Sequence, residues 1–101
     1  MAPKVLVSDK LSETAVQIFR DRGIDVDFDP SIGKDKDKLL SVIDQYDGLA
    51  IRSATKATEK IINAATNLKV IGRAGIGVDN IDRAAASKKG VIVMNTPFGN
   101  M

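Results

Sequence analysis

Two arginines stand where an open sheet would place its ligand. Arg52 follows the apolar run Gly48-Leu49-Ala50-Ile51 and opens the segment Arg52-Ser53-Ala54-Thr55. Arg73 follows Leu68 to Gly72 and opens Arg73-Ala74-Gly75-Ile76-Gly77-Val78-Asp79-Asn80. A guanidinium fork matches planar carboxylates and phosphates with two parallel N–H donors, and such charge-assisted bonds are about twice as strong as neutral ones. With the Ser53 hydroxyl and the backbone N–H groups of a glycine-rich turn, the pair predicts an anion site. A competing reading is that each arginine is a solvated or ion-paired surface residue, with Gly75 and Gly77 serving only a tight strand-to-helix turn. On the residues alone the two readings are balanced.

Other chemistries are poorly supplied. The chain contains no cysteine and no histidine. That excludes disulfides, thiolate and histidine catalysis and the usual zinc ligand sets, and no metal site is expected. The run Gly75 to Asn80 has two glycines of a dinucleotide fingerprint, but Asn80 takes the third glycine position. About 20 residues on, Asn95-Thr96-Pro97-Phe98 offers no carboxylate for a ribose, and the motif follows the fourth strand rather than the first. No Gly-Lys-Ser/Thr closes a Walker loop. Asp25, Asp27 and Asp29 recur at period two, and Asp35 and Asp37 alternate with Lys34, Lys36 and Lys38; both patterns read as solvated surface.

Composition agrees. Of 101 residues, 44% are hydrophobic and 28% charged, an ordinary globular balance. A net charge of +2 from 15 basic and 13 acidic residues, with only 4% aromatic residues, argues against a nucleic-acid partner. No apolar run approaches the ~20 residues of a membrane helix, and Met1 to Val7 lacks a basic leader. A cytoplasmic protein with no membrane partner is expected.

The elements that would carry the arginines alternate regularly. Strands are predicted at Lys4 to Ser8, Ile24 to Phe28, Gly48 to Ile51, Leu68 to Gly72 and Val91 to Met94. Helices are predicted at Ser12 to Arg22, capped by Ser12 and closed by Gly23, and at Asp35 to Tyr46. Two more are predicted at Thr58 to Ala65, capped by Thr58, and at Ile81 to Lys88, closed by Gly90. This βα alternation predicts an α/β fold: a flavodoxin-like, doubly wound, parallel five-stranded sheet in the order 2-1-3-4-5. No fifth helix follows the last strand, so the sequence reads as cut short. Apolar surface is then expected around Val5, Val7, Val91 and Val93, leaving the chain marginally stable or self-associating.

Three segments carry a resemblance. They are Ile51-Arg52-Ser53-Ala54-Thr55-Lys56, Gly72 to Asn80, and Val93-Met94-Asn95-Thr96-Pro97-Phe98-Gly99-Asn100. Together they resemble the N-terminal region of the D-isomer-specific 2-hydroxyacid dehydrogenases, and within that family its 3-phosphoglycerate-oxidising members. The resemblance covers essentially the whole chain. It implies that residues 1–101 are the N-terminal part of a substrate-binding domain, and that the nucleotide-binding domain, with its NAD and its catalytic Arg, Glu and His, lies elsewhere. It further implies that Arg52 and Ser53 grip the phosphate or carboxylate of a 3-phosphoglycerate- or 3-phosphohydroxypyruvate-like anion. Arg73, Ala74 and Gly75 would line the substrate side of the cleft, and Ile76 would touch the nicotinamide. Asn100 would mark the crossing to the second domain, where Met101 departs from the small polar residue expected. The parent would be a homo-oligomer, a dimer or tetramer. This chain alone would hold no cofactor, carry no catalytic residue and turn nothing over.

Two other functions compete. One is the same region of a dehydrogenase for a different 2-hydroxy acid, such as a glyoxylate/hydroxypyruvate or formate reductase-like enzyme. The other is a non-enzymatic flavodoxin-like module of the receiver type. A receiver needs an acceptor Asp after strand three, an acidic pair after strand one and a Lys after strand five. This sequence has Arg52, a single Asp9, and Asn95-Thr96 there.

Overall fold

A computed structural model describes residues 3–10, 13–52, 55–74 and 80–96, with residues 15, 74, 95 and 96 described by their backbone. Ser12, Ser53, Gly75, Ile76, Asn100 and Met101 lie outside the described residues. The strands are β1 (Lys4–Val7), β2 (Asp25–Phe28), β3 (Gly48–Ile51), β4 (Val70–Ala74) and β5 (Ile92–Thr96). Between them run α1 (Glu13–Asp21), α2 (Lys36–Val42), α3 (Glu59–Ala64) and α4 (Arg83–Lys89). Short 3-10 turns precede α2 at Ile32–Lys34 and extend it at Ile43–Gln45.

All strand pairs are parallel and the sheet order is β2-β1-β3-β4-β5, as the βα alternation requires. From β1 the chain steps one way to β2, then crosses back to β3 and continues to β4 and β5. Right-handed crossovers therefore put α1 on one face and α2, α3 and α4 on the other. The packing divides accordingly. Leu6, Leu49, Ile51 and Ile71 meet Leu39, Ile43, Ile61, Ile62, Ala85 and Ala86 in the larger core, while Val5, Val7, Val26 and Ala50 meet Val16 and Phe19 in a smaller one.

The helix limits follow local chemistry. Asp35 accepts from the Lys38 N–H at 3.2 Å and Thr58 from the Ile61 N–H at 3.4 Å. Asp82 caps α4 by accepting from the Ala85 N–H at 3.0 Å, so that helix begins two residues later than the expected Ile81. Gly23 and Gly90 take φ of 77° and 73°, the left-handed conformation that closes a helix most cheaply at glycine.

Two expectations change. Val5, Val7 and Val91 are buried, because α1 covers the first two and α4 shields the third. The exposed apolar side chains of β5 are instead Ile92 (63%) and Met94 (51%), on the face where no helix among the described residues covers β4 and β5. The aspartate row on β2 is also not simply solvated. Asp27 accepts from the Tyr46 hydroxyl at 2.7 Å and lies 3.8 Å from Lys4 Nζ. Burial, reinforced by the Asp27 carboxylate, pushes the Tyr46 phenol well above its ordinary pKa. Asp29 accepts from the Ser31 hydroxyl at 2.7 Å, which lowers its pKa.

Ile62 is fully buried, so Ile62→Ala should cost about 2–5 kcal/mol, whereas Ile92→Ala should stay within about 0.5 kcal/mol. Urea titrations of both variants check this; equal shifts would contradict the packing described. At Gly33 a Cβ would overlap Thr55 Oγ1 and the Ser8 carbonyl oxygen, and would lie 3.0 Å from Asp9 Oδ1. Since one of these neighbours is backbone and the rest are buried, Gly33→Ala should lower stability by about 1–3 kcal/mol in the same assay.

Candidate functional site

The reversal of chain direction at β1 parts the connections leaving the carboxyl ends of β1 and β3, and open α/β sheets bind ligands in that crevice. Its described floor is polar. Ser8 and Asp9 continue from β1, Arg52 from β3, and Thr55 returns over them; Ser8, Asp9 and Thr55 are 0%, 2% and 0% exposed. The Ser8 and Thr55 hydroxyls lie 2.8 Å apart, and the Gly33 N–H donates to the Ser8 carbonyl at 3.1 Å. Gly33 thus lets the turn before α2 close down on this corner without a side chain in the way.

The backbone of the Arg52 loop is held from both sides. Asp9 Oδ2 accepts from the Arg52 N–H at 2.5 Å and from the Thr55 N–H at 3.0 Å. Asn80 Nδ2 donates to the Arg52 carbonyl at 2.6 Å and to the Thr55 carbonyl at 2.7 Å. A parallel bridge between Ala57 and Ile81, with the Ala57 N–H donating to the Asn80 carbonyl at 3.0 Å, ties the segment after β3 to the one after β4. None of Asp9, Thr55, Gly33 or Asn80 was among the expected site residues. The available signals were an acid immediately after the first apolar strand and an Asn in place of the fingerprint's third glycine.

The arginines are placed differently from one another. Arg52 is exposed, and its Nη1 donates to the Lys10 carbonyl at 3.1 Å, toward the connection leaving β1. Arg73 pairs in register with Ile51 rather than Arg52, and by strand alternation it shares the face of Ile71, where it is 9% exposed. β4 runs on to Ala74 instead of ending at Gly72, so Arg73 is a residue within the strand and not, as expected, the first residue beyond it. Ala74 is the last residue of β4 and pairs with Thr96. Ser53, Gly75 and Ile76 lie outside the described residues.

A dinucleotide fits this corner poorly. In doubly wound nucleotide-binding folds the pyrophosphate approaches a glycine-bearing turn and helix N-terminus after a central strand. Here β1 runs into Ser8-Asp9-Lys10-Leu11-Ser12, which offers no glycine for such a turn. The corner can instead present Arg52, whose backbone is held by Asp9 and Asn80, to a small anion. Among the described residues there is no cluster of potential metal ligands, and no helix is long and apolar enough to cross a membrane.

Comparison with known proteins agrees with this architecture. The pattern of the D-isomer specific 2-hydroxyacid dehydrogenase catalytic domain matches residues 5–101. The chain is 47% identical over 97 residues to D-3-phosphoglycerate dehydrogenase of Sus scrofa and 43% identical over 97 residues to that of Archaeoglobus fulgidus. In each case the match covers 96% of this chain but only 18% of the relative, so the chain spans under a fifth of the length of these relatives. Among solved structures, a protein from Pyrococcus horikoshii superposes with a TM-score of 0.87 at 32% identity, over 95% of this chain and 28% of that one. The NAD+-bound 3-phosphoglycerate dehydrogenase of Entamoeba histolytica superposes at 0.83 and 35% identity, over 96% of this chain and 33% of that one. With its family pattern matched from Val5 onward and its parallel sheet shared with these structures, this chain belongs to the D-isomer specific 2-hydroxyacid dehydrogenase family.

Proposed function

We propose that these residues form the N-terminal part of the substrate-binding domain of an NAD-dependent D-3-phosphoglycerate dehydrogenase. That enzyme would oxidise 3-phosphoglycerate at its 2-hydroxyl to 3-phosphohydroxypyruvate, the first step of L-serine biosynthesis, as a cytoplasmic homo-oligomer. The observation that carries the reading is 47% identity to D-3-phosphoglycerate dehydrogenase across 96% of the chain. The short coverage of the relatives supports placing the nucleotide-binding domain outside these residues.

In this reading the role of the chain is to hold and orient an anion. Arg52 is exposed at the crevice, with its backbone groups already taken by Asp9 and Asn80, so its guanidinium can meet a carboxylate or phosphate while the loop stays in place. Ser53, Ala74 and Gly75 would complete the substrate side, and Ile76 the approach to the nicotinamide. Arg73, 9% exposed near the end of β4, would contribute to the cleft wall.

With no histidine in the sequence and no dinucleotide fit at the crevice, the 101-residue chain is expected to be inactive. Incubation with 3-phosphohydroxypyruvate and NADH, followed by absorbance, should match a no-protein blank; turnover above the blank would overturn the assignment of roles. In the full-length enzyme, Arg52→Ala should raise KM for 3-phosphohydroxypyruvate by the equivalent of about 1.5–3 kcal/mol, with part of the loss appearing in kcat. Arg52→Lys should rescue only partly, since it returns charge without the fork. Unchanged kinetic constants for Arg52→Ala would remove Arg52 from the site, and a preference for glyoxylate over the phosphorylated substrate would move the enzyme to another branch of the family.

A further inference from the structure

We propose that Asp9 and Asn80 are positioning residues that jointly aim the Arg52 loop at the substrate, an inference that rests on the reading of Arg52 given above. Residues 52 and 55 bracket Ser53 and Ala54, and all four of their backbone polar groups are taken by these two side chains. Asp9 Oδ2 takes the two N–H groups and Asn80 Nδ2 supplies the two carbonyls. The two side chains come from opposite directions, one from the end of β1 and one from the segment after β4. Closing on the same pair of residues, they oppose both translation and rotation of the loop.

The chemistry of each side chain suits its half of the clamp. A carboxylate oxygen can accept two N–H donors at once, and ionisation strengthens both bonds. A primary amide has two N–H donors on one nitrogen, which matches two carbonyls. Asp9 is 2% exposed; its other oxygen, Oδ1, is buried with no hydrogen-bond partner among the described residues and abuts Gly33. Asn80 is anchored through its own carbonyl, which accepts from the Ala57 N–H, beside the bridge of Ala57 to Ile81.

Arg52 itself makes one described side-chain bond, to the Lys10 carbonyl, and Lys10 directly follows Asp9. The same turn after β1 therefore fixes both the backbone and the guanidinium of Arg52. A group that binds through two parallel bonds is sensitive to misplacement on the scale of 1 Å, so loosening its support should weaken binding of the anion without touching it.

The test is a double-mutant cycle in the full-length enzyme, with 3-phosphohydroxypyruvate and NADH as substrates. Asp9→Ala and Asn80→Ala are each expected to raise KM for 3-phosphohydroxypyruvate about tenfold and to leave KM for NADH within about twofold. Asp9→Asn, which keeps an acceptor, should recover much of the loss. In an Arg52→Ala background the same substitutions should change the substrate KM by less than about twofold, because the group they aim is gone. A residue that merely supports the fold would act by the same factor in both backgrounds. That outcome, or an unchanged KM in the single variants, overturns the clamp. If Arg52→Ala is itself silent, the reading of Arg52 falls and the clamp with it; a raised KM for Arg52→Ala beside silent Asp9 and Asn80 variants removes the clamp alone. Should Asp9→Ala not yield soluble enzyme, Asn80→Ala, which unburies no charge, decides the cycle.

Discussion

The handedness of parallel crossovers is the constraint from which the rest of this structure follows. Every βα unit must close right-handed, and the chain reverses direction once, at β1, stepping first to β2 and then back past β1 to β3. That reversal places α1 alone on one face and gathers α2, α3 and α4 on the other. It also leaves the connections after β1 and β3 diverging, so the crevice between them is a product of topology rather than of any one side chain. Asp9 and Arg52 meet there because Val7 pairs with Ala50 in register, and each stands two residues beyond that pair.

A carboxylate buried at that position must be satisfied or expelled, since an unpaired charge in a low-dielectric interior is costly. Asp9 meets the requirement by accepting two backbone N–H groups through one oxygen, which rigidifies the loop it holds. The neighbouring Arg52 side chain remains open to solvent. At these adjacent strand ends one side chain organises the backbone and the other extends toward solvent.

The same topology explains the uneven core. On the face shared by three helices the sheet contributes Leu6, Leu49, Ile51 and Ile71, and burial is nearly complete. On the other face α1 reaches only β1, β2 and the near side of β3, where Val5, Val7, Val26 and Ala50 lie. Beyond it, Gly72 has nothing within 4 Å of where a Cβ would stand, and Ile92 and Met94 are exposed. At the opposite edge acidic residues on and just after β2 are drawn into local contacts, Asp27 with Tyr46 and Lys4, and Asp29 with Ser31.

The succession of strands and helices, sheet order, helix-closing glycines and family membership were legible in the amino-acid order, because periodicity, caps and crossover handedness are local or nearly local properties. Arg52 was legible too, as a cation directly after an apolar strand. The partners of its loop were not. Asp9 and Asn80 lie 43 and 28 positions from Arg52, and nothing in their neighbourhoods announces that both will close on residues 52 and 55. Equally hidden was the reach of β4, which runs on to Ala74, so that Arg73 lies inside the strand, pairs with Ile51 and shares the helix-covered face with Ile71. The chain's own order determined which groups stand near the strand ends. Only the three-dimensional pairing of those strands decided which of them touch, since side-chain direction in a sheet alternates every residue and a single step of register reverses it.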